Sequence, residues 1–220
     1  MGSLLLLDGS PRGERSNSYK MLSRVAQGWA RGGGGDAEAL HLARHADFER
    51  AVAAFRMADT VMLGMPLYTD SMPALVKTYI EAVGSSASDS GPILGFLVQS
   101  GFAEALHSRP LERYLAKLAP RLGCRYAGTI VHGGGEALQQ MPDEASKRLW
   151  ERLRGLGESL AKDGCFDAQL LTAVAGTERF SPVAAALMSA ACATPLAQFY
   201  WDGQLRRNRA MARRFARPYA

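Results

Sequence analysis

Residues 4–19 read LLLLDGSPRGERSNSY, and the fold turns on how that stretch is interpreted. Leu4 to Leu7 form an apolar run that stops at Asp8-Gly9. A loop rich in Gly, Ser and Arg follows, and Ser16-Asn17-Ser18 opens a segment with helical periodicity. The pattern predicts a buried strand that runs through a short loop into a helix N-terminus. Such a junction suits an anion, because the first backbone N–H groups of a helix lack partners and lie at the positive end of its dipole. Ser10, Ser16 and Ser18 offer hydroxyl donors, Asn17 an amide, and Arg12 or Arg15 a positive charge. The stretch reads as a phosphate cradle for a nucleotide-like cofactor. An ordinary strand-to-helix turn with a Ser or Asn cap has the same composition, so the rest of the chain must decide.

Downstream, strand-like and helix-like segments alternate. Leu22, Val25, Ala26 and Trp29 mark an amphipathic helix that ends at the glycines 32–35. Those glycines follow a helix and precede a strand, the reverse of a dinucleotide fingerprint. Ala37 to Leu42 reads as a second strand, and Asp47 as the cap of a helix with Phe48, Ala51, Val52 and Phe55 inward. Thr60 to Gly64 is a third, fully apolar strand, followed by a helix with Val76, Tyr79, Ile80 and Val83 inward. Gly84 to Gly91 reads as a loop of small residues. Ile93 to Val98 is a fourth strand, Leu111 to Leu122 a helix, and Arg125 to His132 a fifth strand. Pro142 suits the start of a last helix that runs to Gly164.

This alternation predicts an α/β fold: an open parallel sheet of five strands, doubly wound in the flavodoxin-like order 2-1-3-4-5, with a helical C-terminal extension. The expected division is 1–165 for the sheet domain and 166–220 for the extension. In such sheets ligands sit beyond the carboxyl ends of the strands, where the order reverses. The loops after strands one, three and four therefore converge, and they carry the unusual residues. The third-strand loop holds Pro66, Leu67, Tyr68, Thr69 and Asp70 before Pro73 restarts a helix. It offers an aromatic wall and backbone N–H groups between Leu67 and Asp70 to a planar heteroaromatic ring. Ser100, Gly101 and Phe102 follow strand four and supply a third side.

A phosphate cradle and two ring-edge loops on this fold point to FMN. GSPRGERSNS resembles the phosphate loop of the NAD(P)H-dependent FMN reductases and related flavodoxin-fold quinone reductases. PLYTDSMPALVKTYIE resembles their isoalloxazine loop and the helix after it, and SGFAEA and HGGGEAL are similar to a branch of flavodoxin-like oxidoreductases. The resemblance implies that Ser10, Arg12, Ser16, Asn17 and Ser18 bind phosphate and ribityl. It also implies that Pro66, Leu67, Tyr68, Thr69 and Asp70 border the ring, with Ser100, Gly101 and Phe102 on its third side. The implied reaction passes a hydride from NAD(P)H through FMN to a small acceptor such as a quinone or free flavin, with no side chain as general acid or base. A non-catalytic flavin-binding protein or electron carrier would need the same cradle.

Composition narrows the field further. Cys124, Cys165 and Cys192 are widely spaced, which argues against a zinc site, an iron–sulfur cluster or a disulfide framework and suits the cytoplasm. Met1-Gly2-Ser3 passes straight into Leu4 with no basic flank, so no signal peptide is expected. His132-Gly133-Gly134-Gly135 resembles an esterase oxyanion motif, but no serine sits in a G-x-S-x-G turn. Removing the six arginines between 206 and 217 from a net charge of +5 leaves the remainder at −1. That segment is expected to be a solvated helix face rather than a nucleic-acid binder. The alanine-rich helix after Ser181-Pro182 is too broken to span a bilayer. Both are expected to pack on the domain or on a partner subunit of a homo-oligomer, dimer or tetramer.

Overall fold

The computed structural model describes residues 2–84, 91–139, 141–192, 194 and 198–217. The loop expected at 84–91 lies largely outside the described residues. Five parallel strands, β1 (Leu4–Asp8), β2 (Ala37–His41), β3 (Thr60–Pro66), β4 (Ile93–Gln99) and β5 (Arg125–His132), pair in the order β2-β1-β3-β4-β5. Leu4 stands level with Ala37 on one side and Thr60 on the other. This is the expected flavodoxin-like order.

Side-chain alternation along the strands divides the core in two. Leu5 and Leu7 of β1, with Val61, Leu63 and Met65 of β3, face the helices α2 (His45–Ala54), α3 (Ala74–Gly84) and α4 (Arg109–Arg121). Leu4, Leu6 and Met62 face α1 (Asn17–Arg31) and α5 (Lys147–Asp163). Burying both faces is why β1 needs an unbroken leucine run, each side chain adding roughly 2 kcal/mol.

Two helix starts differ from the sequence reading. Asp47 lies inside the first turn of α2 and does not cap it; its carboxylate accepts the His41 backbone N–H at 3.1 Å. Helix α5 begins at Lys147, not at Pro142, which stands in a turn before it.

The first compact unit runs through Glu178, so it contains a further helix, α6 (Ala168–Ala175). Asp167 caps α6 by accepting the Leu170 N–H at 2.8 Å. The Phe166 ring lies over Gly95 and Gly128, paired across β4 and β5, where a Cβ would come within 3.0 and 2.9 Å of it. Val174 is buried in the same core layer.

The second unit, 179–220, holds α7 (Pro182–Cys192) and α8 (Phe199–Arg207). The side chains of Phe199, Trp201 and Phe215 are exposed, and Asp202 accepts an ion pair from Arg214 at 3.2 Å. Among the described residues no helix is long and apolar enough to cross a membrane.

Helices α1 and α5 approach closely because each presents a glycine. A Cβ on Gly157 would sit 2.0 Å from the Val25 carbonyl oxygen, and one on Gly28 1.8 Å from that of Arg154. Backbone cannot yield there as a side-chain tip can, so overpacking separates the helices. Gly157→Ala is therefore expected to lower stability by about 2–3 kcal/mol, read as a fall in the urea midpoint with an unchanged slope.

Candidate ligand site at the carboxyl rim of the sheet

The β1–α1 loop is built around one buried carboxylate. Asp8 ends β1, and its Oδ1 accepts the Ser10 N–H at 3.2 Å and the Ser16 hydroxyl at 3.0 Å. Its Oδ2 meets His41 Nδ1 at 3.1 Å, so the ends of β1 and β2 are tied together. Burial pushes the Asp8 carboxyl above the usual carboxylate range, and the bonds from His41, Ser10 and Ser16 pull it partly back. Ser16 also caps α1, its Oγ accepting the Tyr19 N–H at 2.9 Å.

The Ser16 hydroxyl is thus committed to the protein itself, with one bond donated and one accepted. The Ser10 hydroxyl accepts the Arg12 N–H at 3.3 Å. The backbone N–H groups of Asn17 and Ser18, the first two of α1, have no partner among the described residues. Two side-chain atoms beside them, Asn17 Oδ1 and Ser18 Oγ, are buried and also unpartnered. Buried polar atoms are satisfied in the great majority of cases; here the Ser18 hydroxyl and the free N–H groups can donate to an anion, and Asn17 Oδ1 can accept from a ligand hydroxyl.

Residues from four loops line a narrow cleft of about 60 Å³ at this rim: Ser10, Arg12, Asn17, Pro66, Leu67, Tyr68, Gln99, Ser100, Gly101 and Glu136. Eight of these belong to the set expected from sequence. Ser16 and Ser18 stand beside the cleft but do not line it, and Thr69, Asp70 and Phe102 lie outside its wall. Tyr68 and Phe102 are half exposed, at 46% and 49%, and the Phe102 ring stacks on His107 with centroids 4.3 Å apart.

In the third-strand loop the amide donors are unequal. Leu67 N–H donates to the Gln99 carbonyl at 2.8 Å, and Tyr68 N–H to that of Ser71 at 2.9 Å. The N–H groups of Thr69, Asp70 and Met72 are without a partner among the described residues. Thr69 holds a φ of +57°, a left-handed conformation that a β-branched side chain resists. The tight Tyr68–Ser71 bridge, closed by a hydrogen bond in each direction, imposes it. Strain of this kind concentrates at ligand clamps.

Sequence reasoning missed Gln99 and Glu136. Gln99 is the last residue of β4, and its polar side chain after an apolar run was the available signal. Glu136 follows the three glycines after β5, whose purpose is now visible. Gly134 N–H donates to the Phe102 carbonyl at 2.6 Å and Gly135 N–H to that of Ser100 at 2.7 Å. A Cβ at Gly135 would sit 2.2 Å from Gln99 Oε1. The glycines let the β5 loop zip onto the β4 loop and deliver Glu136 to the cleft, where it pairs with Arg12 Nη1 at 3.3 Å.

The comparisons fit this architecture. A family model described as "Flavodoxin-like fold" matches residues 2–89. No curated protein matches the sequence. Among solved structures, the chain is similar to an FMN-dependent NADH-azoreductase from Bacillus anthracis str. Ames Ancestor in complex with FMN. That match has 14% identity and a TM-score of 0.56 over 73% of this chain and 100% of the other. It is also similar to an NADH:FMN oxidoreductase in its apo form, at 16% identity, TM-score 0.56, and 83% and 98% coverage. A third is an NAD(P)H:quinone oxidoreductase from Methanothermobacter marburgensis, at 16% identity, TM-score 0.54, and 72% and 96% coverage. The fold is the flavodoxin-like one.

At the far edge of the rim, His132 ends β5 with Nδ1 2.8 Å from the Val174 carbonyl oxygen, which holds α6 to the sheet. That geometry requires a proton on Nδ1, and burial lowers the ring's affinity for a second one. A histidine whose folded pKa lies below its unfolded value of about 6.5 loses stability as the pH falls through that value, because the unfolded chain takes up the proton first. Stability is therefore expected to decline below about pH 6.5, and His132→Asn, which keeps a donor for Val174, to flatten that part of a urea-midpoint series against pH.

Proposed function

We propose that this protein is an FMN-dependent oxidoreductase that takes a hydride from NAD(P)H and passes it to a small acceptor such as a quinone or free flavin. The observation that carries the reading is the meeting of the β1, β3 and β4 loops on one cleft whose helix end holds the unpartnered Asn17 Oδ1 and Ser18 Oγ. A phosphate monoester accepts from the Ser18 hydroxyl and from the free N–H groups of Asn17 and Ser18, and a ribityl hydroxyl can donate to Asn17 Oδ1. The similar structures include an FMN-dependent NADH-azoreductase, an NADH:FMN oxidoreductase and an NAD(P)H:quinone oxidoreductase, which supports the reading.

In this assignment Ser10, Arg12, Asn17 and Ser18 serve the phosphate and ribityl end. Ser16 acts through the cap and the Asp8 bond that shape the loop. Pro66, Leu67 and Tyr68 give the ring an apolar wall, Thr69 and Asp70 offer amide donors to its edge, and Ser100, Gly101 and Phe102 border its third side. Bound FMN supplies the hydride-accepting and hydride-donating chemistry, so the protein's own tasks are to bind, orient and stabilise charge. The same reading carries a small-molecule acceptor, a cytoplasmic setting, no nucleic acid and a homo-oligomeric state.

Purified protein is expected to be yellow, or to become so after incubation with FMN and desalting, and to bleach with anaerobic NAD(P)H. A colourless preparation under both conditions overturns the reading. Tyr68→Ala is expected to weaken FMN binding about tenfold, since stacking of an aromatic wall is worth roughly 1–1.5 kcal/mol. Because the side chain is half exposed, the thermal midpoint is expected to stay put. Unchanged flavin retention in that variant would remove the ring from this loop.

A further inference from the structure

A carboxylate is an unexpected neighbour for a phosphate. Glu136 is the one acid among the described residues that line the cleft, and both its oxygens lie at 3.3–3.4 Å from Arg12 Nη1. We infer that Glu136 holds down the affinity of this site for the phosphate end of its ligand, so that FMN is held less tightly than the same cradle would hold it without that charge. The inference rests on the flavin reading above and adds to it the way the flavin is held.

The segment Gly135–Gln139 that carries Glu136 is fastened on both flanks. Before it, the Gly135 carbonyl accepts Asn17 Nδ2 at 2.7 Å and the Gly135 N–H donates to Ser100. After it, the Leu138 carbonyl accepts Lys20 Nζ at 3.3 Å and Gln139 Nε2 donates to the Arg15 carbonyl at 3.2 Å. The backbone therefore keeps Glu136 at the cradle when Arg12 turns to another anion, and only the side chain can swing aside.

A ligand phosphate must take Arg12 from Glu136 and then lie near an unpaired carboxylate. Both side chains are about half exposed, 51% for Arg12 and 42% for Glu136, so solvent screens the pair and the contest is mild. It weakens phosphate binding without blocking it. A flavin without phosphate leaves the Arg12–Glu136 pair intact and is indifferent to it.

The test measures dissociation constants of FMN and riboflavin by quenching of flavin fluorescence, on the full chain and on Glu136→Gln. The substitution is expected to tighten FMN about fivefold, the upper end for an exposed pair, to slow FMN release correspondingly, and to change riboflavin less than about twofold. Glu136→Ala provides a second removal of the charge should the amide disturb folding. If FMN affinity stays the same in both variants, or riboflavin affinity rises in step with it, the role of Glu136 is overturned while the flavin reading stands. If the unsubstituted chain binds neither flavin, the flavin reading falls and this inference with it.

Discussion

The shape of the ligand site depends on the carboxylate of Asp8. A charged or polar group at the end of a fully buried strand is costly unless it is satisfied, and Asp8 is satisfied by three donors from three places: Ser10 N–H, the Ser16 hydroxyl and His41. Each bond removes a freedom the loop would otherwise have. The first folds the chain back directly after β1, the second fixes the residue that caps α1, and the third ties the β2 end to the β1 end. The start of α1 reaches the cleft, with Asn17 in its lining, because this carboxylate leaves the loop little alternative.

The same logic of committed and uncommitted polar groups runs around the rim. In the β3 loop, Leu67 and Tyr68 spend their amides on Gln99 and Ser71, which leaves those of Thr69, Asp70 and Met72 without a partner among the described residues. The β5 loop spends Gly134 and Gly135 on the β4 loop. Of the unspent groups, those of Asn17 stand at the cleft, and Ser18, Thr69 and Asp70 adjoin its lining residues in sequence. Donors held by rigid elements and left without partners are what a planar, phosphorylated ligand needs, and they make the reductase reading a statement about particular atoms as well as about a fold.

Glu136 introduces an opposing charge into that arrangement. The glycines before it serve close approach: no side chain fits between Gly135 and Gln99, nor beside Gly133 against the Ala103 carbonyl. A loop that hugs the β4 loop this tightly carries its next residue to the cleft whatever that residue is. Here it is an acid opposite the arginine of the cradle, and a weak, screened ion pair results.

Much of the architecture is legible along the chain. The leucine run Leu4–Leu7, the apolar Thr60–Gly64 segment and the 3.6-residue spacing of Leu22, Val25, Ala26 and Trp29 each report a local burial pattern, and local burial is what periodicity encodes. The loop motifs likewise showed which turns hold unusual residues, and eight of the expected residues line the cleft. Helix α6 was not legible, because only Val174 and Ala175 of it are buried, and Phe166 just before it settles over Gly95 and Gly128, residues far away in the chain. The roles of Ser16, Gln99 and Glu136 were hidden for the same reason: whether a hydroxyl is free or already bonded, and which charges meet, depends on contacts between strand ends. Sequence alone determined the strands, the helices and the loops worth watching; tertiary structure decided which polar atoms those loops leave unpaired, since hydrogen bonding is settled by positions in space and not by order along the chain.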